Sequence, residues 1–307
     1  MPLDLFLETL SDETVPIPVA EFAEMSDLSP SELGEFARAW LGMDEDRQHN
    51  IITAMVEAAE ENAELDFSAV FKMCLRDKDE FVLEKAIEGL WENEDRSTIP
   101  SLVQVLHSDR SPAVRAAAAV ALGKFTVLAQ EGKLLSRDVD ALHSSLMDVL
   151  RDTDQPLEVR RRSLEAVAPM NTGEINSLVS DAYDSDDLDM KSSSIYAMGR
   201  TGEPGWLPLL LRELDSPEPS IRYESAHACG ELAEEDAVPY LIPLLEDDDY
   251  QVQLAGINAL GKIGGDLAKN VLINCVRDGD AALEDAAKAE LENIEFLDDP
   301  LGFNSGN

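Results

Sequence analysis

Four histidines, His49, His107, His143 and His227, and three cysteines, Cys74, Cys229 and Cys275, are the side chains best suited to hold a metal or attack a substrate in this 307-residue chain. Their spacing argues against both roles. No histidine lies three to five residues from another histidine or a cysteine, and the odd cysteine count contains no CxxC pair. The cysteines are therefore expected as small buried apolar groups, without a disulfide framework. No Gly-x-Ser-x-Gly elbow occurs. Gly123-Lys124, Gly132-Lys133 and Gly261-Lys262 are each followed by Phe, Leu or Ile, where a phosphate loop needs Ser or Thr. The acidic runs Asp184–Asp189 and Glu246–Asp249 lack the Gly and terminal Glu of a calcium loop, and are expected as solvated turns. The expectation is a non-enzyme with no catalytic residue, no cofactor and no metal.

Composition narrows the partners. Lys and Arg number 24 against 63 Asp and Glu, a formal charge of −39, and 44% of the residues are apolar, enough for a sizeable core. Phosphate backbones are bound mainly through Lys and Arg, so direct nucleic-acid binding is disfavoured, and anionic membranes are repelled for the same reason. No run approaches the ~20 uninterrupted apolar residues of a spanning helix. The start, Met1 to Glu8, lacks the cationic residues of a secretory signal. No membrane insertion and a cytoplasmic location are expected.

Positioning must come from a repeat. Ile51, Val82, Val114, Val159, Met190, Ile221, Val252 and Leu283 lie at intervals of 31, 32, 45, 31, 31, 31 and 31 residues. Four residues after each come Met55, Ala86, Ala118, Ser163, Ser194, Ser225, Gly256 and Ala287, nearly all small, a column that lets helices approach closely. Eight residues after each come Ala59, Leu90, Leu122, Val167, Met198, Cys229, Leu260 and Leu291, all apolar. A second stripe follows in each unit, Phe71, Leu102, Leu146, Val179, Leu210, Leu241 and Leu272, with an apolar or aromatic partner four residues on, including Tyr183. Each unit thus predicts two helices. Gly123, Gly199, Gly230 and Gly261 are expected to cap the first with positive φ, and Pro100, Pro208 and Pro239 to open the second. No period-two alternation of useful length appears, so the class is all-α. A pair of ~31 residues buries its apolar face only by stacking, which predicts a right-handed α-solenoid, a superhelix of antiparallel helix pairs.

The segments Ser111 to Gly123 and Ser220 to Gly230 closely resemble first helices of HEAT-like repeats, an armadillo-like class, in the short variety first associated with phycobilin lyases. The resemblance covers about residues 48–297. It implies a ladder of Asp and Arg six residues apart, matched by Asp109 with Arg115 and Asp154 with Arg160; Lys191 and Arg222 take the cationic place with Ser185 and Ser216 opposite. One HEAT-like enzyme family, deoxyhypusine hydroxylase, holds iron with His-Glu dipeptides, and this chain has none.

Residues 1–47 are expected as N-terminal capping helices. Ser29-Pro30-Ser31-Glu32 forms a capping box, followed by a stripe of Leu33, Phe36, Ala37, Trp40 and Leu41; Val15-Pro16-Ile17-Pro18 precedes a short helix from Val19 to Met25. The long interval carries an insertion at about 126–138 that extends a helix toward a turn at Gly132. Residues 298–307 are expected as a flexible acidic tail, with Phe303 frayed. Most carboxylates fall on turns and first helices, for example Glu60, Glu88, Glu224 and Glu231. If second helices line the concave side, a groove combines Lys72, Arg76, His107, Arg151, Tyr183, Trp206, Arg212, Tyr240 and Arg277 with Asp148, Asp181 and Glu246. Such a mixture suits a protein partner, basic or extended, on a non-enzymatic scaffold or adaptor. The resemblance also implies a phycobilin lyase subunit or lyase-like chaperone. The charge admits an acidic DNA mimic or a salt-adapted scaffold.

Overall fold

The computed structural model describes residues 3–278 and 281–298, and every regular element among them is helical. The tail beyond Asp298, Phe303 included, lies outside the described residues. The chain divides into two compact units, residues 1–166 and 167–307, where the periodicity predicts a single array.

The first unit begins with α1 (Leu3–Ser11), a 3-10 helix at Val19–Met25 and α2 (Pro30–Trp40). Helix pairs follow: α3 (Glu45–Glu61) with α4 (Ser68–Cys74), α5 (Glu80–Gly89) with α6 (Ile99–Leu106), and α7 (Pro112–Gln130) with α8 (Ser136–Arg151); α9 (Leu157–Val167) ends at the division. The second unit holds α10 (Gly173–Tyr183), α11 (Leu188–Thr201) with α12 (Leu207–Glu213), and α13 (Pro219–Leu232) with α14 (Val238–Leu241), which continues as 3-10 turns over Ile242–Glu246. It ends with α15 (Tyr250–Ile263), α16 (Gly265–Asp278) and α17 (Ala281–Asp298). Each unit is an all-α solenoid stack. First helices touch in succession, α3 on α5 on α7 and α11 on α13 on α15 on α17, while second helices pack onto the next first helix, as α12 does on α13.

The columns foreseen in the sequence form the core. Ile51, Val82, Val114, Val159, Met190, Ile221 and Val252 are buried, and so is every member of the small column four residues on. Pro100, Pro208 and Pro239 sit in the first turn of α6, α12 and α14, where a missing N–H costs nothing. Part of the acidity is helix chemistry. Three residues before the anchors, Asp79 accepts from the Val82 amide at 3.0 Å, Asp187 from Met190 at 2.9 Å and Asp249 from Gln251 at 2.8 Å. Each such N-cap contributes about 1 kcal/mol and answers the positive end of the helix dipole.

The glycine expectation is overturned. Gly123, Gly199, Gly230 and Gly261 lie inside α7, α11, α13 and α15, and none has a left-handed backbone. They permit close approach instead: a Cβ on Gly199 would lie 2.7 Å from Ala228 Cα, one on Gly230 2.9 Å from Ala259 Cα, and one on Gly261 2.7 Å from Glu290 Cβ. The caps with positive φ come three residues later, at Gly202 (φ +64°) and Ala233 (φ 54°), both left-handed, and at Gly264 (φ +66°), which is extended in ψ.

The capping box forms as expected, with Glu32 Oε2 accepting from the Ser29 amide at 2.9 Å. Phe36 and Trp40 are buried, but Leu41 is 83% exposed because it caps α2 instead of extending its stripe. Sequence reasoning missed α1, although Leu3, Phe6, Leu7 and Leu10 carry helical spacing; Phe6 packs edge-on to Phe22. The insertion lengthens α7 to 19 residues and α8 to 16, joined through Gly132 at φ +72°. By length and composition α7 passes the test for a membrane-crossing helix, yet its Val114, Leu122 and Phe125 are buried in the core of the first unit.

Candidate binding face

Second helices supply the candidate residues, and the structure divides them by unit. In the first unit, Lys72 pairs with Asp95 at 2.6 Å, an interaction that, with the Ser97 amide, holds the Asp95 carboxyl well below its ordinary range. His107 Nε2 bonds Ser145 Oγ at 2.7 Å, Arg151 lies 3.8 Å from Asp148, and Arg76 is exposed. Lys72 and His107 therefore tie helices together more than they offer a surface.

In the second unit the residues converge. Tyr183, at the end of α10, donates to Glu213 and accepts from Arg212, both on α12. Lys191 of α11 pairs with Glu213 at 3.0 Å and sits 4.8 Å from the centre of the Tyr183 ring; the Arg212 guanidinium is 5.9 Å from the same ring. Cations over an aromatic face are attracted by its quadrupole. Burial raises the Tyr183 hydroxyl, helped by the Glu213 bond. Burial also pushes Glu213 up, but bonds from Tyr183 and Lys191 outweigh it and hold the carboxyl below its ordinary value.

Around this cluster lies an apolar surface in register with the repeat. Leu178, Leu209, Tyr240 and Val271 recur every 31 residues on one flank of the buried column Val179, Leu210, Leu241 and Leu272. Leu211, Ile242 and Ile273 recur on the other flank. Positions i−1 and i+1 lie about 100° to either side of a helical core residue, so these columns edge the furrows between successive second helices. Tyr240 is 55% exposed, Ile273 51% and Ile242 38%. Exposed carboxylates stand at both ends of these helices, Glu203, Glu235, Asp236 and Asp266 before them and Asp215, Glu246 and Asp248 after them. Arg212 and Arg277 are exposed on the helices themselves, and Trp206 is half-buried where α12 begins.

The cationic column is structural: Arg222 bonds the backbone at Ser216, the place the resemblance implied, while Arg115 has partners other than Asp109. Arg222 grips Asp247, in the turn that leaves its own pair, through two bonds of 2.7 Å, and its remaining nitrogen donates to the carbonyl of Ser216, in the turn that precedes the pair, at 2.8 Å. The first cause of the low Asp247 carboxyl is that guanidinium. Arg115 donates to the Leu106 carbonyl at 2.8 Å and to Gln155, not to Asp109. The ladder thus joins one pair to the next.

First helices of the second unit form a further ladder. Arg200 reaches Glu231 at 3.2 Å and Lys262 reaches the same carboxylate at 2.5 Å, so Glu231 is half-buried and engaged, not part of an open acidic surface. His227 stacks on Tyr196 with centroids 5.5 Å apart, and burial followed by the Lys262 charge lowers its pKa. His49 pairs with Asp79 at 2.9 Å. Cys74 and Cys229 are buried as expected, whereas Cys275 is half-buried. Among the described residues no group of His, Cys, Asp and Glu is placed to hold a metal ion.

A profile of HEAT repeats matches residues 67–146 and 207–292, over half of the chain. Among solved structures, the CpcE–CpcF complex of phycocyanin lyase from Nostoc sp. PCC7120 is similar at 17% identity and a TM-score of 0.50, covering 75% of this chain and 94% of that one. A designed armadillo repeat protein matches at 18% identity, TM-score 0.39, over 64% of this chain and 99% of its own. Human deoxyhypusine hydroxylase matches at 19%, TM-score 0.37, over 95% and 96%. At these identities the likeness is one of fold. Curated protein sequences give no match.

Proposed function

This chain belongs to the HEAT repeat family, and on that premise we propose that it is a non-enzymatic scaffold whose second helices in residues 167–307 bind a protein segment carrying apolar side chains between Lys and Arg residues. The observation that carries this reading is the pair of apolar columns repeating at 31 residues between two acidic ridges, exposed at Tyr240, Ile242 and Ile273 and half-buried at Leu178, Leu209, Leu211 and Val271. Large aromatic and aliphatic groups left in water on one face are expensive unless a partner covers them. Tyr240 and Arg212, near the middle of that face, are the residue types that dominate interface energies. The carboxylates at the helix ends complement the basic residues of the segment and favour its approach, since the charge of −39 attracts cationic partners from a distance.

The lyase, DNA-mimic and salt-adaptation readings have no residue cluster of their own behind them, and the resemblance to a lyase structure concerns fold alone. The test is a titration of a labelled peptide alternating Leu with Lys or Arg, at low and high salt. Binding that weakens at least about tenfold from 50 to 500 mM salt, and again in the Tyr240→Ala/Ile273→Ser variant, is the expected result. Binding indifferent to both changes would overturn the proposal.

A further inference from the structure

A second surface lies in the first unit, where the turns after α3 and α5 face each other across a groove of about 570 Å³. Its apolar wall is Val56, Leu65, Phe67 and Phe71, and on its rim Trp91 stands 72% exposed, outside every core column. The rim is built. Lys124, from α7 of the next pair, donates to the Leu90 carbonyl and to the Trp91 carbonyl at 3.1 Å, pinning the turn that carries the indole. Burial pushes this lysine down to about 8, the mark of a cation drawn out of water to hold backbone. Asn93 donates to Ser68 Oγ at 2.9 Å and ties the two turns together. Gly89 forms part of the wall, and a Cβ there would lie 2.5 Å from the Phe71 ring, so the ring takes the space a side chain would need.

The charges lining the groove have one sign. Glu60, Asp66, Glu88 and Glu92 contribute carboxylates, and no Lys or Arg is among its lining residues. Glu88 already pairs with Lys85 at 2.7 Å, and Asp66 accepts from the Ser68 amide at 2.8 Å. Glu60 and Glu92 remain as the pair for a ligand. We propose that this groove binds an arginine side chain presented by a partner protein, its guanidinium stacked on the Trp91 indole and bonded to the carboxylates of Glu60 and Glu92. Arginine suits the site better than lysine because its planar, weakly hydrated cation stacks on an indole and still offers in-plane donors to carboxylates. The volume exceeds one side chain, so neighbouring apolar atoms of the partner settle against Phe67 and Phe71.

The test reads Trp91 directly, by following the three indole N–H resonances in a heteronuclear NMR titration with N-acetyl-arginine amide. The Trp91 signal is assigned by its loss in Trp91→Phe. The expected result is a saturable shift confined to that signal, with N-acetyl-citrulline amide producing none up to the same concentration. Glu60→Gln/Glu92→Gln should weaken the arginine complex by about fivefold or more, and Tyr240→Ala/Ile273→Ser should leave it unchanged. An unmoved Trp91 resonance, or equal shifts with arginine and citrulline, would overturn the site whatever the second unit binds.

Discussion

Gly199 and Ala228 meet across α11 and α13 so closely that a methyl group on Gly199 would lie 2.7 Å from the Ala228 Cα and 3.0 Å from its Cβ. Backbone stands against backbone, and the contact recurs between Gly230 and Ala259 one pair later. Helix propensity favours alanine at such sites by about 1 kcal/mol, but overpacking costs about 1–3 kcal/mol, so the clash decides the sign. Gly199→Ala should lower stability in urea unfolding. Gly34→Ala, inside α2 with nothing within 4 Å of the new carbon, should raise it by about 0.5–1 kcal/mol.

Ala233 ends α13 at φ 54°, a region costing an L-residue about 1–2 kcal/mol, where the neighbouring pairs place Gly202 and Gly264. Ala233→Gly should stabilise the fold by about 0.5–1 kcal/mol after the added freedom of the unfolded chain is subtracted. Gly202→Ala should destabilise it by a similar amount. Thermal unfolding of both variants provides the check.

The Arg222–Asp247 clamp makes stability depend on acid. The Asp247 carboxyl is held below its ordinary 3.8, so its contribution is complete above that value and is lost as pH falls through the lower, folded value. Asp247→Asn should be less stable at pH 7 by about 1.5–3 kcal/mol, the range for bonds to charged groups, and should lose stability less steeply below pH 4. Parallel stability curves for the two proteins below that pH would contradict the assignment.

His227 acts in the same direction at higher pH. It is packed against Tyr196, faces the Lys262 and Arg200 cations and one carboxylate, Glu231, and its pKa lies below the ordinary 6.5. Its contribution is full above pH 6.5 and declines as pH falls, because the unfolded chain takes up the proton first. His227→Phe, which preserves the stack on Tyr196, should flatten the stability profile between pH 7 and 5. Denaturant midpoints across that interval measure it.

The legible part of this molecule was periodic. Small residues such as Ala118 and Ser225 and the prolines at 100, 208 and 239 repeat because every pair packs the same way, and a repeat amplifies a signal too weak to trust once. The glycines misled because one that admits a neighbouring helix and one that caps its own helix occur within three residues of each other, at 199 and 202 or 261 and 264. Charge partners stayed hidden for another reason: among 63 carboxylates, nothing in the spacing of Arg222 singles out Asp247 across a turn and a helix. Trp91 stayed hidden because a groove between two turns has no column to announce it. The face of the second unit was half visible. Tyr183, Arg212 and Tyr240 stand out by residue type alone, but Ile242 and Ile273 become a furrow only relative to the buried column that they flank.

The binding face is tested most directly by amide hydrogen exchange of the whole chain with and without a saturating Leu- and Arg-containing peptide. New protection over residues 207–213, 238–246 and 265–278, the second helices of the second unit, is the result this account predicts. Protection confined to the first helices, at residues 188–201, 219–232 and 250–263, would contradict it.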